Sequence, residues 1–158
     1  MGIEIERKFL VNKEKWSQVV KNERSHYRQG YIVTDPEKTI RVRLTDKSGF
    51  ITIKGLTVGA ARPEFEYSIP KEDAVQLLDN FCSSELSKVR YFITYDNKLW
   101  EVDEFTGQNE GLIVAEIELS SEEEVFSLPP WVDQEVTGDK RYSNSNLSVN
   151  PYRNWKTE

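Results

Sequence analysis

The sequence predicts a mainly β protein of the α+β type: an eight-stranded antiparallel closed β-barrel, or tunnel, with a polar lumen and an apolar outer wall covered by a few helices. Three observations carry that expectation. First, charged residues recur two apart with apolar ones between them, in Glu4-Ile5-Glu6-Arg7-Lys8, Thr39-Ile40-Arg41-Val42-Arg43, Glu64-Phe65-Glu66, Lys88-Val89-Arg90, Glu101-Val102-Asp103 and Glu116-Ile117-Glu118. A strand sends successive side chains to opposite faces, so each segment has one ionised face and one apolar face. Second, eight strand segments can be counted, and eight antiparallel strands close into a barrel with room for side chains and one small ligand. Third, the amphipathic segments 13–23 and 71–82 need an apolar sheet surface on which to lie. The ordinary half-buried strand would turn its charges to solvent, but the helices demand the reverse.

Taken in order, residues 3–11 form the first strand, and Asn12 is a helix N-cap ahead of Trp16, Val19 and Val20 at helical spacing. Strands follow at 27–34, 38–45, 49–55 and 62–69, divided by Asp35-Pro36, Asp46 through Gly49, and Gly55 through Gly59. Pro70 suits the first turn of a helix striped by Ala74, Leu77, Leu78 and Phe81. Three more strands fit 86–96, 98–105 and 111–119, with a tight turn at Asp96-Asn97-Lys98. Ser121 and Glu124 have the spacing of a capping box and predict another short helix. From 131 the chain reads as short helical or irregular pieces.

Length and charge set limits. At 158 residues the chain is one domain, 1–158, without repeat or linker. Twenty-seven acidic residues against 21 Lys and Arg give a net charge of −6, which argues against general nucleic-acid binding. No run approaches the roughly 20 apolar residues of a membrane span, and the N-terminus lacks the apolar core of a signal peptide, so a cytoplasmic protein is expected. The single cysteine, Cys82, has no partner for a disulfide and is expected to pack.

An inward-facing charge set has chemical consequences. Lys8, Arg41, Arg43, Lys54, Lys88 and Arg90 would face Glu4, Glu6, Glu64, Glu66, Glu101, Asp103, Glu116 and Glu118. Buried ionised groups are costly unless paired, hydrogen-bonded or bound to metal. The carboxylate excess suits divalent cations, and an all-oxygen donor set without His or thiolate suits Mg²⁺ or Mn²⁺. Guanidinium groups bind phosphate oxygens bidentately and Lys acts as a point charge, so the cations suit a chain of phosphates better than one.

These residues resemble the CYTH superfamily, the triphosphate tunnel metalloenzymes. The ExExK hallmark stands as Glu4-Ile5-Glu6-Arg7-Lys8. It is followed in the family's order by Gln29-Gly30-Tyr31, Thr39 through Arg43, Thr52-Ile53-Lys54, Arg62 through Glu66, Lys88 through Tyr91, Trp100 through Phe105, Ala115 through Leu119 and Glu135 through Asn144. The EIERKFLV opening is most like that of short bacterial inorganic tripolyphosphatases. The resemblance implies metal-dependent hydrolysis of inorganic triphosphate to pyrophosphate and phosphate by a metal-activated water. It also leaves class IV adenylate cyclase, thiamine triphosphatase and a non-catalytic polyphosphate- or nucleotide-binding module as alternatives.

On this reading Lys8, Arg41, Arg43, Lys54, Lys88 and Arg90 are both catalytic and substrate-binding, and Arg62 and Arg141 are further substrate contacts. Glu4, Glu6, Glu64, Glu66, Asp103, Glu116 and Glu118 are metal ligands. Arg7 has the opposite parity to Lys8 and belongs outside as an ion-pair partner. His26, Trp131 and Trp155 are structural, and Tyr27 and Tyr31 pack or bond locally. The expected partner is a small-molecule triphosphate, with neither nucleic acid nor membrane, and a homodimer is compatible with the sequence.

Overall fold

The computed structural model describes residues 2–35 and 37–155, so Pro36 of the expected Asp35-Pro36 turn lies outside the described residues. The strands are β1 (Gly2–Val11), β2 (Arg24–Asp35), β3 (Lys38–Leu44), β4 (Gly49–Gly55), β5 (Ala61–Ile69), β6 (Ser84–Tyr95), β7 (Lys98–Phe105), β8 (Ile113–Glu118) and β9 (Val132–Glu135). They are hydrogen-bonded in the order β5-β4-β3-β2-β6-β7-β8-β1, and a β5–β1 pairing closes the ring. All pairings are antiparallel. The eight-stranded barrel is therefore as expected.

The ninth strand is a departure. β1 uses one edge for β8, while its other edge is divided: residues 2–5 pair with β5 and Phe9 and Val11 pair with β9. The barrel seam is thus shared between two partners, and the short β9 covers the edge that β5 leaves open. Outside the barrel, Arg7 donates to both carboxylate oxygens of Glu135 on β9, at 2.8 and 2.7 Å.

Helix α1 (Lys13–Trp16) is one turn, much shorter than the 13–23 segment. Asn12 caps it as expected, accepting from the Lys15 amide at 3.0 Å. Trp16 then drops into an outer core with Phe9, Tyr91, Trp100, Val102, Ile117 and Trp131, joined by edge-on contacts among the three indoles. Helix α2 (Lys71–Asn80), with Pro70 at its N-cap, lays Ala74 and Leu78 on Val42. It lies so close that a Cβ at Gly30 would stand 2.9 Å from Cys82 and Leu78, and one at Gly49 only 2.8 Å from Ala74. Cys82 packs here as a free thiol.

No helix forms at Ser121. Glu124 instead accepts from the Ser120 amide and hydroxyl at 2.6 and 2.8 Å, so the would-be capping carboxylate serves a turn. The tail holds 3₁₀ turns at Lys140–Tyr142 and Tyr152–Asn154 and the short helix α3 (Asn144–Val149). Leu147 of α3 is buried against Leu86, Phe105, Leu112 and Val114, with Leu10 alongside. Leu10, Leu86, Phe105 and Val114 share strand parity with Lys8, Lys88, Asp103 and Glu116. Along four strands, then, the inward face turns from charged to apolar, and α3 plugs that end of the tunnel.

Candidate functional site

Cross-strand register brings the inward charges together. Around β7–β8–β1, Glu101 stands opposite Glu116, and Glu6 opposite Glu118. Like charges directly opposite one another destabilise a sheet unless something lies between them. Around β3–β2–β6, Gln29 faces Arg43, and Tyr27 faces Lys88. Arg41, Thr52 and Glu66 run in register across β3–β4–β5, and Lys54 faces Glu64.

The walls enclose a cavity of about 170 Å³. Its basic lining is Arg41, Arg43, Lys54 and Arg90; its acidic lining is Glu4, Glu6, Glu64, Glu66, Glu101, Glu116 and Glu118; Asn144 of α3 completes it. Ten of the fifteen residues expected to act thus line one space, joined by Glu101 and Asn144.

Most cations are tied to carboxylates. Lys54 Nζ is 3.1 Å from Glu4 and 3.4 Å from Glu64. Arg41 donates to Thr52 Oγ1 and Glu66 at 3.1 and 3.3 Å. Arg90 grips Asp103 with Nε and Nη2 at 2.7 and 2.9 Å and reaches Glu101 and Glu116 at 3.2 and 3.4 Å. Lys8 Nζ is 3.5 Å from Glu116 and donates to the Tyr142 carbonyl. Arg43 differs: it donates Nε to the Gln29 amide oxygen at 3.0 Å, and among the described residues it has no carboxylate within ion-pair distance.

Five expected site residues do not line the cavity, Lys8 behind Glu116 among them. Lys88 is sealed behind the wall with a side-chain exposure of 0%, donating to Asp103 at 2.6 Å and to Asn144 at 3.0 Å. Asp103, taken as a metal ligand, is outside the cavity lining, and both of its oxygens accept from Lys88 and Arg90; it is a buried anchor for two cations. Arg62 turns away to the Gly55 carbonyl. Arg141 lies outside the cavity, with a side chain 64% exposed and paired to Asp139. Its motif position carried no information about direction.

The fields follow from this geometry. Burial pushes the Glu6 carboxyl up to about 8, with Glu116 and Glu4 adding to it and Lys8 and Lys54 only partly offsetting. Glu118 is raised by burial and by Glu4, Glu64 and Glu101. Despite burial, Lys54 holds Glu4 below the usual range, and Lys8 and Arg90 do the same for Glu116. Burial lowers Arg43 to about 10, helped by Arg41 and Arg90. Burial also lowers Lys88, against the pull of Asp103.

Among the described residues no three carboxylates stand close enough together to grip an ion as they are now turned. The donor chemistry nevertheless fits a hard divalent cation: opposed oxygen donors, with Glu6 unpaired and Glu118 repelled by its neighbours. Glu4, Glu6, Glu116 and Glu118 are the residues that would hold it, with Glu64, Glu66 and Glu101 within the same cavity.

A search among known families matches residues 2–149 to the CYTH domain. An inorganic triphosphatase of Acetivibrio thermocellus is 47% identical over 157 residues, 99% of each chain. A second, from Nitrosomonas europaea, is 35% identical over 92% of this chain and 97% of its own. Among solved structures, the crystal structure of an inorganic triphosphatase superposes with a TM-score of 0.64 at 32% identity, covering 92% of this chain and 97% of that one.

Proposed function

We propose, from the premise that this chain belongs to the CYTH domain family, that it is an inorganic triphosphatase cleaving tripolyphosphate to pyrophosphate and phosphate. The observation that carries this reading is the lining of the cavity. Every bounding residue is charged except Asn144, and none is aromatic or apolar, so a phosphate chain finds partners there while a nucleobase finds no stacking surface.

Arg41, Arg43, Lys54 and Arg90 would hold the phosphoryl oxygens, the arginines by paired N–H bonds. Each of these except Arg43 is ion-paired, and carboxylates exchanged for phosphate there, Glu4 and Glu116 among them, would be released toward the cation. Bound there, Mg²⁺ or Mn²⁺ would neutralise phosphoryl charge and make water more acidic. Water attacks the terminal phosphorus, the bridging P–O bond breaks, and pyrophosphate leaves with its charge compensated by the guanidinium groups. Lys8 and Lys88 act from behind the lining. Lys8 neutralises Glu116, and Lys88 with Asp103 and Asn144 fixes the floor.

No helix among the described residues is long and apolar enough to cross a membrane; a cytoplasmic location belongs to the same proposal and is supported by the free thiol of Cys82. If the chain self-associates, a homodimer would cover the exposed Ile3, Ile53, Phe65 and Tyr67 of the outer wall, and sedimentation measures its mass. Incubation with tripolyphosphate, ATP and thiamine triphosphate under Mg²⁺ and Mn²⁺, followed by chromatography, tests the activity. Phosphate and pyrophosphate from tripolyphosphate at a much higher rate than from the others are expected. Cyclic AMP from ATP as the main product would overturn the assignment.

A further inference from the structure

Arg43 is held by neutral groups where its neighbours are held by anions. Gln29, with 0% exposure, accepts from Arg43 Nε at 3.0 Å. Its own amide nitrogen donates to the buried Tyr31 hydroxyl at 3.2 Å, which fixes the oxygen toward the guanidinium. On the other side the Tyr27 ring lies 4.8 Å from the Arg43 guanidinium carbon, and the same ring stands 5.1 Å from that of Arg90. An aromatic face attracts a cation without cancelling its charge, and an amide oxygen orients a guanidinium without forming an ion pair.

We infer that Gln29 and Tyr27 are positioning residues, forming a neutral cradle that keeps Arg43 oriented and uncompensated so that it is the first cation free to take a phosphoryl group. The other lining cations are already paired with carboxylates; among the described residues Arg43 is not. The inference rests on the triphosphatase reading for the identity of the anion, but it makes its own demand: adding charge to the cradle should harm binding even though it gives Arg43 a stronger partner.

Gln29→Glu is the decisive substitution because it keeps shape and supplies the missing carboxylate. Two measurements are needed: tripolyphosphate binding by calorimetry in metal-free buffer, and KM and kcat with Mn²⁺ present. The expected result is a Kd and KM raised tenfold or more, with the melting temperature and circular dichroism of the folded protein retained. A part played only in folding would leave Kd unchanged or improve it through the new ion pair. Should Gln29→Glu fail to fold, Tyr27→Leu against Tyr27→Phe decides. The leucine variant should raise Kd and KM severalfold, and phenylalanine, which keeps the ring, should restore most of the loss. Wild-type affinity in Gln29→Glu, or equal affinity in the two Tyr27 variants, would overturn the cradle. Wild-type binding without hydrolysis would instead overturn the triphosphatase reading, and the Kd comparison would still judge the cradle.

Discussion

The two sides of the tunnel are built on opposite electrostatic terms. On β7, β8 and β1, carboxylates face one another across strands, Glu101 to Glu116 and Glu6 to Glu118, and burial leaves Glu6 reluctant to ionise. On β3, β2 and β6, guanidinium groups crowd around the Tyr27 ring and Arg43 has no counter-ion among the described residues. The first side has more carboxylates than the cations that reach them, and the second holds a guanidinium paired with no carboxylate among the described residues. Each deficit describes a missing component, a cation on one side and a polyanion on the other, and a metal–triphosphate complex supplies both.

The largest effects should come from deleting one group on either side. Arg41→Ala and Glu118→Ala are each expected to lower kcat by about 10²–10³, the usual worth of a positioned charge, with circular dichroism unchanged; full activity in either would break the comparison. Chelation of divalent metal should stop turnover and be reversed by adding Mg²⁺ or Mn²⁺. Both sides also share the apolar floor. Leu147→Ala should cost about 2–5 kcal/mol of stability, read in denaturant, since Leu147 fills the end where Leu86, Phe105 and Val114 meet.

The acidic side should also announce itself in the pH dependence of the metal-free fold. Glu6 titrates near 8 in the folded protein against an ordinary 4.5. Between these values the native state holds the extra proton, so stability falls as pH rises from about 4.5 and levels off above about 8. Thermal melts should show that slope, Glu6→Gln should flatten it, and a divalent cation should offset it near neutrality. A Glu6→Gln profile with the slope of the wild type would mean that burial, with Glu116 and Glu4, does not raise the Glu6 carboxyl. The smallest effect belongs to the outer wall: Arg7→Ala removes a surface pair with Glu135 worth about 1 kcal/mol or less and should leave kcat within twofold. Lys8→Ala, one residue on but facing inward, should lose activity tenfold or more.

That contrast explains what could be read in the sequence. Strand parity needs only neighbours two apart, so the inward charges, the eight strands and the outward Arg7 were legible from the chain alone. The apolar stripe placed α2, and Asn12 marked the cap of α1. Features set by distant contacts were not legible. Val132–Glu135 carries one apolar residue in four, and it becomes a strand only because β1 has a free edge beside it. The 13–23 helix stops after one turn as Trp16 enters the outer core, and Glu124 caps a turn rather than a helix. At the site, Asp103 and Lys88 had the right parity but spend their charge on each other, and Arg141 had the right neighbourhood but points outward. Gln29 was passed over because it carries no charge, which on this account is the reason it is there.

The most direct test is a crystal structure of the protein with Mn²⁺ and tripolyphosphate, collected for the anomalous signal of manganese. The account expects phosphoryl oxygens against Arg41, Arg43, Lys54 and Arg90, and an anomalous peak beside Glu6, Glu116 and Glu118. Phosphate bound on the outer wall, with the inner carboxylates still paired to their lysines and arginines, would contradict it.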